Sequence, residues 1–254
     1  MPEAADADRS VVARNGAGSG DSPADLPAIL IDGLGFRWPR GQSWGLDLPR
    51  FELARGERLF LAGPSGSGKT SLLSLITGIV RPACGRLCVL GTPLDTLHGG
   101  ARDRFRADHF GIVFQLFNLL PYLSVLDNVL LGCRFSPLRT AAAAARGGSP
   151  TAEAARLLGR LGLGEPSLQR RPATELSVGQ QQRVAAARAL IGSPPIVIAD
   201  EPTSALDGER RQEFLALLLE EVTLAGSALL FVSHDRTLAR DFDREVTLGD
   251  AAPA

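Results

Sequence analysis

Residues 63–70 read Gly63-Pro64-Ser65-Gly66-Ser67-Gly68-Lys69-Thr70, a full match to the pattern G-x-x-x-x-G-K-S/T. Glycines at this spacing let consecutive backbone N–H groups turn inward around a phosphate. A helix that starts at the lysine adds its positive end to the same oxygens. Lys69 supplies a point charge to the β- and γ-phosphates, and the Thr70 hydroxyl is a ligand for Mg²⁺. A second chemical signal lies at 196–202, Ile196-Val197-Ile198-Ala199-Asp200-Glu201-Pro202, an apolar run that ends in two acids. Acids at the carboxyl end of a buried parallel strand stand where such sheets bind ligands. Asp200 is placed to hold Mg²⁺ directly or through its waters. Glu201 is placed to polarise a water near the γ-phosphate.

These residues work only if particular elements hold them. Residues 58–62 form a short apolar run before the glycine turn, and 69–79 carry helical apolar spacing through Leu72, Leu73, Leu75 and Ile76. Strand, glycine turn and helix make up the unit in which a phosphate loop belongs. Further strands are expected at 29–36, 46–53, 111–114, 196–199 and 228–232, with helices at 179–191 and 209–224. Alternating buried strands and helices predict an α/β fold with a mostly parallel sheet. Between 116 and 178 helical patterns dominate, including the alanines of 141–145 and a helix begun by Pro150 and Thr151. That stretch is expected to be a helical subdomain inserted into the α/β core of a single domain over 26–250. Residues 1–25, rich in Ala, Asp, Gly and Ser, are expected to form a disordered tail. With only a few residues after Val246, no C-terminal regulatory domain is expected.

Composition limits the function classes. The 254 residues carry a net charge of −1, with 44% hydrophobic and 22% charged residues. This is the balance of a soluble globular protein without a global cationic field for nucleic acid. Cys84, Cys88 and Cys133 are too few and unevenly placed for a disulfide framework. No apolar run approaches the roughly 20 residues of a membrane-spanning helix, and the N-terminus lacks a secretory signal. Membrane association is therefore expected only through a partner.

Leu176-Ser177-Val178-Gly179-Gln180 stands a short helix ahead of the Asp200 strand. Here the chain resembles the ABC (ATP-binding cassette) ATPases, whose signature is usually L-S-G-G-Q. Other matches follow the family's order. Gln115 corresponds to the Q-loop glutamine, Ser204-Ala205-Leu206-Asp207 to the D-loop and His234 to the switch histidine. Trp38 stands where the family places an adenine-stacking aromatic, with Trp44 a rival. The resemblance runs from about residue 30 to 247. It implies a P-loop NTPase core with an antiparallel β subdomain beside the parallel sheet. It implies that ATP is bound by Trp38 and by Gly63, Pro64, Ser65, Gly66, Ser67, Gly68, Lys69, Thr70 and Ser71. It also implies that Mg²⁺ is held by Thr70, Gln115 and Asp200, and that hydrolysis involves Glu201, His234, Gln115 and Lys69. Two copies would sandwich two ATP, with Ser177, Gly179 and Gln180 supplied by the opposite chain. Val178 departs from the family's glycine and restricts the backbone there.

The run Val113-Phe114-Gln115-Leu116-Phe117-Asn118-Leu119-Leu120-Pro121 looks like the lipoprotein-releasing and macrolide-export branch. That implies a separate transmembrane permease as partner and a peripheral place on the cytoplasmic face of the inner membrane. Exposed Phe117, Leu119, Leu120 and Tyr122 would form a socket for a cytoplasmic helix of the permease. A relative that drives transmembrane signalling in cell division is the alternative. DNA-repair and translation types are disfavoured, because long coiled-coil insertions and a second cassette are missing. A GTPase is disfavoured by the lack of N-K-x-D.

Overall fold

The computed structural model describes residues 26–38, 45–64 and 66–249. The expected tail over 1–25, Trp44 and Ser65 lie outside the described residues. In chain order the elements are β1 (Ile29–Phe36), β2 (Leu46–Leu53), β3 (Arg58–Ala62), α1 (Lys69–Ile76), β4 (Cys84–Val89), β5 (Thr92–Pro93), α2 (Gly100–His109) and β6 (Phe110–Val113). Four helices follow, α3 (Val125–Arg134), α4 (Pro137–Gly147), α5 (Pro150–Arg160) and α6 (Pro166–Gln169). The chain continues with α7 (Val178–Leu190), β7 (Ile196–Asp200), α8 (Gly208–Ala225), β8 (Ala228–Val232) and β9 (Arg244–Thr247). The central sheet has the order β6-β7-β8-β3-β9 with every pairing parallel, and a second, antiparallel sheet has the order β2-β1-β4-β5. The protein thus has the α/β fold of a P-loop NTPase.

The strands of the central sheet are apolar throughout because both faces are covered. Side chains alternate, so each strand serves two cores. Phe60, Val197, Ala199, Leu229 and Phe231 join the buried cluster formed with α7 and α8. Leu59, Leu61, Ile196, Ile198, Leu230 and Val232 join the cluster on the other face, with α1 and the antiparallel sheet. Gly111 allows α7 to lie close on β6; a Cβ there would fall 2.1 Å from the Ala189 carbonyl oxygen. The first cluster does not stop at α7, but runs on into Val125, Val129, Ala143, Leu157 and Leu158 of α3, α4 and α5.

The same helices are locally well specified. Ser124, Ser136 and Ser149 cap α3, α4 and α5 by accepting the N–H of the residue three positions on. Proline occupies the first turn of α4 and α5. Asn128, fully buried, accepts the N–H of Leu120 at 2.8 Å and donates to the carbonyls of Leu120, Leu123 and Ser124, which pins the loop before α3. An ion-pair network joins α5 to α8. Arg156 bonds Glu153 at 2.8 Å and Glu221 at 3.0 Å, and Arg160 bonds Glu221 at 3.0 Å.

Some expected boundaries shift. Helix α1 ends at Ile76 rather than 79, because the Thr77 hydroxyl donates back to the Leu73 carbonyl at 2.7 Å and the chain turns at Gly78. Phe117, expected at the surface, is buried in the core between the sheet and the helices, and it is the flanking Leu116 and Tyr122 that are exposed. No helix among the described residues is long and apolar enough to cross a membrane.

Candidate nucleotide site

Parallel pairing places the carboxyl ends of β3, β7, β8 and β6 along one edge of the sheet, and each carries a residue singled out by the motifs or by the family resemblance. The Gly63 loop leaves β3, Asp200 ends β7 with Glu201 next, His234 lies just past β8 and Gln115 just past β6. One strand, β8, stands between the loop strand and the acid strand. A cleft of about 590 Å³ opens there, lined by Trp38, Gly63, Gly66 and Gly68, by Lys69, Thr70 and Ser71, and by Gln115, Asp200, Glu201 and His234. Gly45 and Ser204 complete its wall, neither foreseen as a ligand contact. Trp38 sits at the rim, about half exposed, with its ring edge-on to Phe36 at 5.0 Å.

The loop has the features of an anion cradle. Gly68, at φ 95°, is the N-cap of α1 and no side chain caps that helix. The first N–H groups of any helix lack intrahelical partners, so those of α1 face the cleft mouth with their donors available. Lys69 Nζ donates to the carbonyls of Gly63 at 2.6 Å and Pro64 at 2.9 Å, which folds its ammonium over the loop. Ser67 Oγ is buried without a hydrogen-bond partner. Ser67 does not line this cleft but a neighbouring depression, with β2 and the residues after β9.

The acids differ in role and environment. Burial, reinforced by the charge of Glu201 and opposed by Lys69, holds the Asp200 carboxyl above the usual range. A cation near Asp200 would relieve that cost. Glu201 is in the left-handed region at φ 46°, unusual for a residue with a side chain. Its N–H donates to the Val232 carbonyl at 2.9 Å, and its carboxylate meets His234 Nδ1 at 2.9 Å and 3.0 Å. The bond to β8 and the bond to His234 fix the backbone and side chain of one acid from two directions. Thr70, Gln115 and Asp200 offer a hydroxyl, an amide and one carboxylate. This is a hard oxygen set that suits Mg²⁺ completed by phosphate and water. No group of three or more His, Cys, Asp or Glu among the described residues forms a self-sufficient metal cage.

Ser177, Gly179 and Gln180 are not in this cleft. They line a separate depression of about 430 Å³ with Val178, Leu206 and Asp207. Ser177 caps α7 in a capping box: its Oγ accepts the Gln180 N–H, and the Gln180 side chain accepts the Ser177 N–H at 2.9 Å. That arrangement leaves the serine O–H free to donate. Val178 takes the first helical position with its side chain half exposed into this depression.

The profile of the ABC transporter family matches residues 46–204, from β2 to the residues just past Glu201. The chain is a member of the ABC transporter family. It is 44% identical over 233 residues to a lipoprotein-releasing system ATP-binding protein, LolD, of Anaeromyxobacter dehalogenans, covering 90% of this chain and 93% of that one. It is 41% identical over 204 residues to LolD of Hydrogenovibrio crunogenus, covering 80% and 84%. A macrolide export ATP-binding/permease protein, MacB, of Chromobacterium violaceum is 36% identical over 224 residues, which are 87% of this chain and 33% of that longer protein. Among solved structures, an ATP-binding cassette captured as a dimer after hydrolysis with ADP and Pi superimposes with a TM-score of 0.75 at 31% identity, over 87% of this chain and 94% of that one. The chain is therefore an ATP-binding ABC transporter ATPase similar to the lipoprotein-releasing and macrolide-export proteins.

Two arginines of this ABC ATPase escaped the sequence reading. Arg211 on α8 donates to the Leu206 carbonyl at 3.0 Å and pairs with Asp235, so it joins the D-loop to the residue after His234. Arg188 on α7 donates to the carbonyls of Phe117 and Asn118 just past Gln115. Nothing in their sequence neighbourhoods distinguishes them from surface arginines, since their partners lie on other elements.

Proposed function

We propose that this ABC ATPase dimerises head to tail around two ATP and drives a separate membrane permease. The observation that carries the reading is the split of the family's motifs between two clefts. One cleft gathers Lys69, Thr70, Gln115, Asp200, Glu201 and His234, while Ser177 and Gly179 line another with Asp207. A second copy can bring its Ser177 hydroxyl and the first N–H groups of its α7 to the γ-phosphate, completing an anion cage that one chain leaves open.

In this reading the α1 N-terminus and Lys69 bind the phosphates, and Trp38 stacks on the base. Glu201 accepts a proton from the attacking water, and His234 keeps its carboxylate in place and faces the γ-phosphate. Thr70, Asp200 and Gln115 would hold Mg²⁺, which supplies charge neutralisation at the β- and γ-oxygens. The permease places the protein at the cytoplasmic face of the membrane, and the similarity to LolD and MacB supports lipoprotein or macrolide-type extrusion. Of the residues expected to form the permease socket, Phe117 is buried and Tyr122 is exposed. Beside exposed Leu116 and Tyr122, further apolar surface comes from Phe114, Leu131 and exposed Phe135, in a groove between α2, β6, α3 and α4.

Light scattering of the Glu201→Gln protein tests the dimer. With Mg-ATP the mass should double, and hydrolysis should fall by about a thousandfold. A monomer at saturating ATP, both alone and co-purified with its permease, would sink the sandwich.

A further inference from the structure

Glu201 leaves the end of β7 from a strained backbone position, at φ 46°. A side chain carried on such a position is aimed by the groups around it. Two groups hold its carboxylate. One is His234, through Nδ1, but that side chain is 72% exposed. The other is Ser233, 1% exposed, whose Oγ lies 3.5 Å from Glu201 Oε2. Of the two, the serine is the one enclosed by the protein.

A hydroxyl has one proton to donate, and the bonds its oxygen accepts decide where that proton can go. Ser233 Oγ accepts the N–H of Asp235 at 3.2 Å, which leaves its O–H for Glu201. At 3.5 Å that contact is at the outer limit of a hydrogen bond, so a small shift of Asp235 decides whether it forms. Asp235 is itself held from two sides. Its Oδ1 accepts the Thr237 N–H at 3.1 Å and the Thr237 hydroxyl at 2.6 Å. Its Oδ2 pairs with Arg211 of α8, and the two side chains are only 22% and 27% exposed, so water screens the pair less than a surface ion pair. The Thr237 hydrogen bonds and the Arg211 charge outweigh burial and hold the Asp235 carboxyl below the usual range. Arg211 is fixed at its other end by the Leu206 carbonyl at 3.0 Å, while its Nε is buried without a partner among the described residues. The guanidinium thus spans Leu206 and Asp235 at the cost of one unpaired donor.

We propose that Arg211 and Asp235 are positioning residues for ATP hydrolysis: they fix the Asp235 N–H, which turns the Ser233 hydroxyl onto Glu201 and aims its carboxylate. The proposal rests on the reading of Glu201 as the base. Arg211, Ser233 and Asp235 are not among the residues that line the nucleotide cleft. Their loss is therefore felt in the rate of hydrolysis and not in the affinity for ATP.

The test uses the full chain with Mg-ATP. Arg211→Met should lower kcat roughly tenfold, the scale of a slightly misplaced catalytic group. KM and the Kd for ATP should stay within about twofold of wild type. Arg211→Lys keeps a cation on Asp235 and should restore turnover to within about threefold. Ser233→Ala should cost about as much as Arg211→Met, and the two together little more than either alone. In a Glu201→Gln chain, Arg211→Met should lower the residual rate no further, since the carboxylate it aims is gone. Wild-type kcat in a folded Arg211→Met chain overturns the proposal; a pair that only braces the fold would lower the melting temperature and leave kcat alone. Losses that multiply on combination with Ser233→Ala or Glu201→Gln overturn the route through the serine to Glu201. If Arg211→Met does not fold, Asp235→Asn takes its place, since it keeps an acceptor for Thr237 and removes the charge that faces Arg211. Failure of the base reading registers separately, as wild-type turnover in Glu201→Gln itself.

Discussion

At the scale of single residues, the site stores cost where it needs reactivity. Asp200 is held partly buried beside Glu201, and burial raises its pKa. A carboxyl whose folded pKa is raised adds stability only below its unfolded value, and loses it as pH rises through the folded value. Ionised Asp200 thus destabilises the nucleotide-free fold at neutral pH. Asp200→Asn is expected to raise the thermal midpoint of the nucleotide-free protein at pH 7, with the gain vanishing as pH falls below about 4, where Asp itself is protonated. The same variant should lose Mg-dependent turnover. Scanning calorimetry at the two pH values checks the first point; a gain that persists in acid would locate the strain elsewhere. Trp38, half exposed at the cleft rim, is proposed to stack on the base. Trp38→Ala should raise the Kd for ATP about tenfold with kcat little changed. Equilibrium binding of a fluorescent ATP analogue would read this, and an unaltered Kd would remove Trp38 from the site.

At the scale of elements, two buried polar groups decide how the helices meet the sheet. Arg139, 5% exposed, closes the C-terminus of α7 and the start of β6 with its guanidinium. Burial lowers its pKa to about 10, so it stays charged at neutral pH. Cationic donors at a helix C-terminus are favoured by the unpaired carbonyls and the dipole there. Arg139→Met would leave several buried carbonyls without donors. It should cost about 3 kcal/mol, visible as a fall of roughly 10 °C in melting temperature; a midpoint within 2 °C or so of wild type would mean that water replaces the guanidinium. Glu221 joins α8 to α5 in the same way. Burial opposes its ionisation, but hydrogen bonds from Arg156 and Arg160 outweigh it and hold the carboxyl below the usual range. The stability it adds is present above its unfolded pKa and is lost as pH falls through the folded value.

At the scale of the whole molecule, the separation of Ser177 from Lys69 would make activity a property of pairs if the proposed dimer forms. Mixing a Lys69→Ala chain with a Ser177→Arg chain offers a direct check. Each homodimer has two damaged sites, whereas each heterodimer has one intact site built from the Lys69 of one chain and the Ser177 of the other. An equal mixture should recover about a quarter of wild-type turnover. No recovery, with mixed dimers verified by mass, would place Ser177 in the same site as the Lys69 of its own chain.

What was legible in the chain before folding was the chemistry that depends on neighbours. The Gly63–Thr70 turn and the apolar strand into Asp200 are each set by backbone freedom, hydrogen bonding and side-chain alternation within a few residues. The strands at 29–36, 46–53, 58–62 and 228–232 were readable for the same reason. The family's motif order supplied the remaining members, Gln115, Ser177, Gly179, Gln180 and His234, which mean little alone. Tertiary structure decided which of these residues share a cleft, because only the parallel pairing of β3, β6, β7 and β8 brings their carboxyl ends to one edge. It buried Phe117, since the turn that carries it folds onto the core, and left Leu116 and Tyr122 exposed. It also gave Arg139, Arg188 and Arg211 their partners. Arg139 bonds a carbonyl 52 residues away and Arg188 one 70 residues away, and a backbone oxygen carries no mark in the sequence of the cation that will find it.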